Sequence, residues 1–298
     1  MPIVSIGLPV YNGENYISEA IKSFIKQSFK NIELIIFDNA SEDRTEEICQ
    51  KWAKRDPRII YHRNPRNLGA GPNFNLTFKL AKGKYFKWAA HDDICHPLYL
   101  EKCVETLEKN PDVVLCHSKI VWIDHNGEKI KNWNKYLEES QSINLVNRFK
   151  SLINLNHYCF DIFGLIRSEI LAKTPLIASY IGSDRSLLVE LALYGRFHRL
   201  DDYYFFSRDH AKRSVRAIKL YKRNQWWDSV IVKKINFPLW RLLKEYIYSL
   251  QRAKVKMNKK IYCWLFLLIW IRYQWRRLLN EYFFVLNQLF NWGSKLKI

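Results

Sequence analysis

Apolar and polar positions change their period repeatedly along residues 1–125. Short, nearly continuous apolar runs predict buried strands at residues 3–8, 32–37, 59–62, 85–89 and 113–116. Between these runs, apolar residues recur at helical spacing and predict helices over residues 14–29, 41–54, 72–82 and 97–109. Ser41 is the expected N-cap of the second helix. Strands that are apolar throughout and alternate with helices are typical of α/β proteins with a mostly parallel sheet flanked by helices.

A polar loop follows each of the first four predicted strands. The loops are Tyr11 to Glu14, Asp38 to Ser41, Asn64 to Asn75, and His91 to Asp93. Because the carboxyl ends of parallel strands meet at one edge of a sheet, the pattern predicts a nucleotide site at that edge. No Gly-x-Gly-x-x-Gly follows the first strand, and no Gly-x4-Gly-Lys-Ser/Thr occurs. The sequence therefore disfavours a dinucleotide site and a P-loop.

Two adjacent carboxylates, Asp92 and Asp93, directly follow the fourth apolar run. Buried charge is costly unless a partner compensates it. A divalent cation that also binds a phosphorylated substrate is one such partner, because hard cations accept carboxylate and phosphate oxygens together. The alternative is an acidic pair at the N-terminus of the helix that begins near Pro97.

The net charge of +19 is spread unevenly over the 298 residues. Residues 1–215 hold 30 Lys+Arg and 26 Asp+Glu, whereas residues 216–298 hold 18 and 3, together with seven of the eleven Trp. This shift predicts two domains, residues 1–215 and residues 216–298. The six cysteines show no paired spacing and indicate reduced thiols in a cytosolic protein. The first residues lack the features of a signal peptide.

Four motifs in order resemble those of family 2 glycosyltransferases with the GT-A fold. They are Pro9-Val10-Tyr11-Asn12, the run from Asp38 to Thr45, Asn67-Leu68-Gly69 with Asn75, and Asp92-Asp93 with Pro97. The resemblance covers about residues 3–210. It implies a GT-A type, Rossmann-like sheet and an inverting enzyme. The expected reaction moves a sugar from a nucleoside diphosphate, UDP in the first instance, to a hydroxyl of a glycan or lipid-linked glycan. Cell-surface polysaccharide synthesis is the expected setting.

The resemblance also implies roles for individual residues. Nucleotide-sugar contacts are expected from Pro9, Tyr11, Asn12, Glu14, Asp38, Asn67, Gly69, Asn75, His91, Asp92, Asp93 and Arg208. Asp92, Asp93 and His210 are the expected ligands of Mn²⁺ or Mg²⁺. Ala90 stands where the family usually has its first metal-motif acid. The alternatives are a helix N-terminal acid for Asp38, a packed aromatic for Tyr11 and a surface histidine for His210.

Asp184 is the expected general base. The resembled family carries an acid at a loop-to-helix junction, which here is Gly182-Ser183-Asp184-Arg185 ahead of an apolar helical stretch. Inverting transfer needs a base within hydrogen-bond reach of the acceptor hydroxyl. The alternative is a simple helix cap, and the other candidate acids are Asp161, Asp201 and Asp202.

The basic C-terminal region contains eleven consecutive apolar residues, 261–271, followed by an amphipathic stretch. This run is shorter than the roughly 20 residues of a membrane-spanning helix. Trp275, Leu278, Leu279, Tyr282, Leu286 and Leu289 are expected to share one face, away from Arg272, Arg276 and Arg277. Trp and Tyr beside Lys and Arg favour peripheral binding at the cytoplasmic face of a membrane. The alternative is a helical subdomain packed on the core or on a second subunit.

Two other functions and one further class of partner are compatible with parts of the pattern. A nucleotidyltransferase also uses acids and a metal, but it would carry a Gly-rich basic loop after the first strand, and residues 9–13 contain no Lys or Arg. A non-catalytic glycan- or membrane-binding protein is the second rival, because Ala90 replaces an acid. No nucleic-acid motif occurs, so no nucleic-acid partner is expected.

Overall fold

The computed structural model describes residues 1–211, 213, 226–227 and 237–295, with side chains omitted at 285 and 287–295. Within these residues, nine strands form one sheet. The strands are β1 (Val4–Val10), β2 (Ile32–Asp38), β3 (Ile59–Arg63), β4 (Tyr85–Trp88), β5 (Ile94–Cys95), β6 (Val113–Ile123), β7 (Lys129–Trp133), β8 (Leu165–Arg167) and β9 (Arg196–Arg208).

The sheet is parallel in its first half and mixed in its second. The strand order is β3-β2-β1-β4-β8-β6-β9-β5, and β7 pairs with β6. β1 to β4 are parallel to their neighbours, as predicted, and β6 is parallel to β9. β8 lies between β4 and β6 and is antiparallel to both. The fifth predicted strand is therefore β6, which does not neighbour β4 and runs on to Ile123. The α/β fold class with flanking helices is confirmed.

Nine α-helices are described. They are α1 (Ile17–Ile25), α2 (Thr45–Ala53), α3 (Ala70–Lys79), α4 (Tyr99–Lys109), α5 (Leu145–Leu152), α6 (Ser168–Leu171), α7 (Ser183–Tyr194), α8 (Pro238–Arg252) and α9 (Met257–Lys295). All four predicted helices of the first half occur as α1 to α4. The prediction of Ser41 as an N-cap was wrong: α2 begins at Thr45, and the Ser41 hydroxyl accepts the backbone N–H of Asn12 instead.

Two apolar cores lie on opposite faces of the sheet. Every residue of β1 and β2 is buried, because helices cover both faces. One core joins α1 and α4 to these strands. The second core joins Phe86 and Trp88 of β4 to α5, α7, α8 and α9. The helices after residue 237 are thus packed on the α/β part of the chain.

Polar contacts fasten this helical region to the sheet domain. Glu190 of α7 is buried and accepts hydrogen bonds from Ser249 and from the guanidinium of Arg252 on α8 (2.6 and 2.9 Å). The indole of Trp270 on α9 donates to the carbonyl of Ile153 at 2.9 Å. The predicted boundary near residue 215 lies outside the described residues, and the division into two domains stays a prediction.

The long helix α9 has two apolar faces. Cys263, Leu267, Trp270 and Leu278 are buried against the core. Ile261, Leu265, Leu268, Trp275, Leu279 and Tyr282 are exposed. The predicted single face is therefore divided: Leu278 is buried, Leu286 is partly buried, and Trp275, Leu279 and Tyr282 are exposed. The side chain of Leu289 is outside the described ones. Among the described residues, no helix has both the length and the apolar character needed to cross a membrane.

Candidate active site

The loops after β1 and β2 are fastened to each other at the carboxyl edge of the sheet. Asn12, at a positive φ of 52°, accepts the backbone N–H of Glu42 at 2.8 Å. The N–H of Gly13 donates to the Thr45 hydroxyl at 2.8 Å. Glu14 accepts the N–H of Arg44 at 3.2 Å. Asn12 and Glu14 therefore shape this loop, whereas the neighbouring Tyr11 is exposed.

Asp38 ends β2 and is fully buried. Its Oδ1 accepts the N–H of Ser41 at 2.8 Å, and its Oδ2 accepts from the Tyr61 hydroxyl (2.9 Å) and from Arg63 Nη1 (2.7 Å). Groups of the protein itself thus donate hydrogen bonds to both oxygens of the carboxylate that was expected to bind a nucleobase. Arg63, whose side chain is 33% exposed, is the member of this group that reaches solvent.

Sequence reasoning missed Tyr61 and Arg63. Arg63 lies directly opposite Asp38 in the parallel pairing of β2 and β3. A sequence signal for this pair does exist, because both apolar runs end in charged residues. Adjacent parallel strands bring such terminal residues together.

The loop from Asn64 to Asn75 is held by side-chain amides. Asn39 donates to Asn67 at 2.8 Å and accepts from Asn64 at 3.0 Å. Asn67 also accepts the N–H of Gly69, which has a φ of 90° that favours glycine. Asn75 donates to the carbonyl of Ile177 and accepts its N–H. In this structure, Asn75 therefore positions the segment before α7.

Asp92 and Asp93, the acidic pair, lie between the ends of β4 and β9. His210 Nε2 is 2.9 Å from Asp92 Oδ2, and Asp93 Oδ1 accepts the N–H of Arg208 at 2.8 Å. Both carboxylates are largely removed from solvent. Burial favours a higher pKa for Asp92, but the charges of His91, His210 and Arg213 lower it below its ordinary value. Burial and the adjacent Asp92 charge raise the pKa of Asp93.

His91 lies against the loop after β1. A Cβ added to Gly13 would come within 2.8 Å of the His91 ring, so glycine is what permits this approach. The ring of His210 in turn packs on Tyr16, with centroids 4.8 Å apart. His210 is therefore a nearly buried partner of Asp92 and not an isolated surface histidine.

Arg208 does not have the accessible phosphate-binding position that was expected. Its side chain is 1% exposed and donates to the carbonyls of Asp92, Asp124 and His125 and to the carboxylate of Glu19. These contacts join β9, α1 and the loop after β4. The prediction missed this role because all four partners are distant in sequence.

Asp184 lies in the first turn of α7, whose N-cap is Gly182. It is therefore not the cap. Its Oδ1 accepts the N–H of Arg185 at 2.8 Å, and its carboxylate lies near the Cys159 thiol. Burial raises the pKa of Asp184. Its side chain is free of any ion pair shorter than 4.0 Å with the described residues.

The other candidate acids are less suited to act as a base. Asp161 faces the buried ring of His117, with Nδ1 3.4 Å from Oδ1. Asp201 and Asp202 lie on β9 and are exposed, and nothing described shields them from water.

More than half of the chain matches a known protein family. Residues 5–174 match the family described as Glycosyl transferase family 2, which is more than half of the chain. The chain belongs to glycosyl transferase family 2. Membership supports transferase activity and confirms the family that the four motifs predicted.

Curated relatives of this family 2 member carry the same class name. An uncharacterized glycosyltransferase of Rickettsia prowazekii is 35% identical over 246 residues, which are 78% of this chain and 72% of that protein. One from Methanocaldococcus jannaschii is 37% identical over 134 residues. That second match spans 44% of this chain and 46% of the relative.

Solved glycosyltransferase structures share the fold of this family 2 chain. S. aureus TarS in complex with UDP-GlcNAc superposes with a TM-score of 0.64 at 17% identity, over 87% of this chain and 69% of TarS. Mannosyltransferase PcManGT from Pyrobaculum calidifontis, in complex with GDP-Man and Mn²⁺, gives 0.55 at 14% identity, over 88% and 74%. These likenesses confirm the GT-A type fold.

The residues present fit a divalent cation only in part. No group of three or more His, Cys, Asp or Glu side chains within the described part of the chain could hold a metal ion. Asp92 and His210 nevertheless bring a carboxylate oxygen and an imidazole nitrogen to one point. Mg²⁺ and similar ions often take only one or two protein ligands and complete their shell with substrate phosphates and water. Such a two-ligand set fits a cation that binds with a nucleoside diphosphate.

Proposed function

We propose that this chain is an inverting glycosyltransferase that transfers a sugar from a UDP-sugar to a hydroxyl of a glycan or lipid-linked glycan. The observation that carries the proposal is the convergence of Asp92, His210 and the loops after β1 and β2 at one edge of the sheet. The complexes of TarS with UDP-GlcNAc and of PcManGT with GDP-Man support a nucleotide-sugar donor. A role in cell-surface polysaccharide synthesis belongs to the same proposal.

The chemistry assigned to the chain is divided between two places. At the sheet edge, Tyr11 is exposed to meet the nucleobase, and Arg63, which is 33% exposed, is the cation beside the buried Asp38. Asp92 and His210 would hold the divalent cation, which neutralises the charge of the departing diphosphate. At the start of α7, Asp184 removes the proton from the acceptor hydroxyl as that oxygen attacks the sugar. Its raised pKa makes it a stronger base than an ordinary aspartate.

Replacement of Asp92 is expected to abolish metal-dependent donor binding. At 100 times its dissociation constant, UDP with Mn²⁺ stabilises the parent by about 2.7 kcal/mol, which a thermal-shift assay detects. Asp92→Asn should lose this stabilisation, because a neutral amide is a poorer ligand for a hard cation. Asp202→Asn, a change at an exposed position on β9, is the matched control and should respond like the parent. An Asp92→Asn protein that UDP and Mn²⁺ stabilise as strongly as the parent would contradict the assignment.

The rival non-catalytic function is tested by turnover. Ala90, which stands where the family has an acid, is the observation that favours a binding protein. Release of UDP from a UDP-sugar in the presence of the full-length chain supports the enzyme. Stabilisation by UDP and Mn²⁺ with no UDP release from any donor supports the binding protein.

The rate of transfer should fall on acidification at a higher pH than an ordinary aspartate predicts. Asp184 acts only when ionised, so the rate is full above its pKa and declines as the pH drops through it. Burial raises this pKa above the usual value of about 3.9. The groups that face Asp184 are Arg185, His157, Cys159, Tyr180 and Tyr246.

This pH dependence is measured from kcat, with circular dichroism at each pH to exclude unfolding. A profile that stays flat down to about pH 4 would show that the pKa is not raised or that another group is the base.

We also propose that the exposed face of α9 binds an anionic membrane surface. That face carries Ile261, Leu265 and Leu268, with Arg272 and Arg276 following at helical spacing. Apolar side chains enter the headgroup boundary, and each basic side chain near anionic lipid adds about 1 kcal/mol. Packing of the opposite face on the core and membrane binding of this face are therefore compatible.

Full-length protein should sediment with vesicles that contain anionic phospholipid. High salt alone should release it only in part, because apolar burial does not depend on ionic strength. Leu268→Glu, at a residue 61% exposed, should weaken binding about tenfold or more. Ile143→Glu, at a residue 87% exposed outside α9, is the matched control and should leave binding unchanged. Equal sedimentation of both variants would place the membrane contact elsewhere.

A further inference from the structure

Four aromatic side chains form a cluster that the proposed chemistry does not yet use. Trp122 of β6, Trp133 of β7, and Tyr158 and Phe160 of the loop before β8 make up this aromatic platform. The ring of Tyr158 stacks on Phe160 (centroids 5.8 Å apart, 12° between planes) and meets Trp133 edge-on at 4.8 Å. Trp122 packs against Trp133 and Phe160, each at 6.1 Å.

The platform is open to solvent at Tyr158, whereas Trp122, Trp133 and Phe160 are partly buried. Tyr158 is 60% exposed. The indole N–H of Trp133 donates to the carbonyl of Lys135 at 2.8 Å. Aromatic rings fixed in this way offer a rigid face at little cost in conformational entropy.

One side of the platform adjoins the expected base. Cys159 stands between Tyr158 and Phe160 in the chain, and burial and the nearby Asp184 charge raise the pKa of its thiol. Arg185, the next residue after Asp184, donates to the carbonyl of His157 at 2.8 Å. The segment that carries the platform is therefore tied to the N-terminus of α7.

The other side adjoins the acidic pair. Arg213 lies over the ring of Trp122 at 4.8 Å and donates to the Ser207 hydroxyl at 3.1 Å. The Arg213 charge also acts on the carboxyls of Asp92 and Asp93. The platform thus lies between the residues assigned to the leaving diphosphate and the residue assigned to the acceptor proton.

Two buried donors at the platform lack a partner within the described part of the chain. They are Trp122 Nε1 and Arg213 Nη1. Buried N–H groups are rarely left unsatisfied, so such donors indicate a place for oxygen atoms of water or a ligand. A pyranose ring combines an apolar C–H face, which packs on aromatic rings, with a rim of hydroxyl oxygens, which accept hydrogen bonds from N–H donors. It therefore suits both the aromatic rings and the two N–H groups.

We propose that the aromatic platform binds the terminal pyranose of the acceptor glycan, with its C–H face on Tyr158 and Trp133. This inference rests on the proposed glycosyltransferase function and names the acceptor class of the same site. Tyr158 is a binding residue for the acceptor and has no part in donor binding.

The test uses the full-length chain with UDP and Mg²⁺, which is diamagnetic, and a panel of methyl pyranosides of gluco, galacto, manno and N-acetylglucosamine configuration. Saturation-transfer NMR should show magnetisation reaching ring C–H protons of at least one of them. Tyr158→Ala should weaken that binding about three- to tenfold, the size of an aromatic contact. Tyr158→Phe keeps the ring and should bind like the parent. Tyr262→Ala, at a tyrosine 58% exposed on α9, is the matched control and should also bind like the parent.

Stabilisation by UDP and Mn²⁺ is recorded for every protein in parallel. Its retention in Tyr158→Ala, together with the loss of pyranoside binding, supports an acceptor subsite. Parental pyranoside binding by Tyr158→Ala, or no pyranoside signal from a parent that UDP does stabilise, overturns the inference and leaves the proposed function standing. Absence of UDP stabilisation in the parent contradicts the proposed function itself.

Discussion

Asp184→Asn should lower the rate of sugar transfer by about 10²–10⁴-fold, the usual contribution of a general base. The asparagine side chain is similar in size and can accept the N–H of Arg185, so the first turn of α7 should keep its structure. The variant lacks the carboxylate oxygen that takes the proton from the hydroxyl of the sugar acceptor. The measurement is kcat with a UDP-sugar and its acceptor, together with the thermal shift on UDP and Mn²⁺.

Donor binding should be nearly unchanged in Asp184→Asn, because the residue lies on α7 and not at the ends of β1, β2 or β4. Asp202→Asn serves as the control for removal of a carboxylate at an exposed position, and it should transfer at the parental rate. Near-parental turnover by Asp184→Asn would move the role of base to another acid. Asp161 would then be tested first, because it is largely buried beside His117.

Arg252→Ala should destabilise the folded chain by about 3 kcal/mol, because it leaves the buried Glu190 carboxylate without its charged partner. Glu190 is 1% exposed and accepts two hydrogen bonds from Arg252. Among the described residues, the Ser249 hydroxyl would be the one remaining hydrogen-bond donor to the Glu190 carboxylate. The free energy of unfolding from urea titration is the measurement, with equal m-values as a check that the same transition is compared.

Arg44→Ala is the matched control, since its ion pair with Glu47 is on the surface, and surface pairs contribute about 1 kcal/mol or less. An Arg252→Ala protein as stable as Arg44→Ala would show that α8 is not fastened to α7 in solution.

A chain ending at residue 215 should aggregate, because the buried residues of α8 and α9 belong to the same core as α5 and α7. A truncated chain that stays folded in solution would contradict this packing.

The strands of the first half could be predicted because their signal is local. β1 and β2 are buried at every position, so most of their residues are apolar, and the exceptions are Ser5, Glu33 and Asp38. The positions of Asp38 and Asp92 at strand ends followed directly. The first strand was predicted to end at residue 8, yet β1 runs through Pro9 to Val10, although its pairing with β4 stops at Gly7. Such a boundary depends on the neighbouring strand and cannot be read from one segment.

The second half of the sheet was less predictable because its pairing is non-local. β8 has three residues, Leu165–Arg167, and its insertion between β4 and β6 depends on partners some 50 to 80 residues away. The role of Arg208 has the same cause, as its side chain joins α1 to the loops after β4 and β6. A periodicity argument carries no information on contacts of this kind.

By itself, the sequence determined the α/β class, the family, the strands β1 to β4 and β6, and the helices α1 to α4 between them. It also gave the location of Asp92 after β4 and of Asp184 near a helix start, whereas the two-residue strand β5 was not predicted. These follow from local periodicity and from motifs whose residues are close in the chain. Only the tertiary structure decided that the Asp38 carboxylate accepts hydrogen bonds from Tyr61 and Arg63, and that Arg208 is buried and joins distant segments. It also decided which face of α9 packs on the core. Each of these depends on which distant groups meet in the folded chain, because hydrogen bonding and burial are settled by three-dimensional proximity and not by the residue alone.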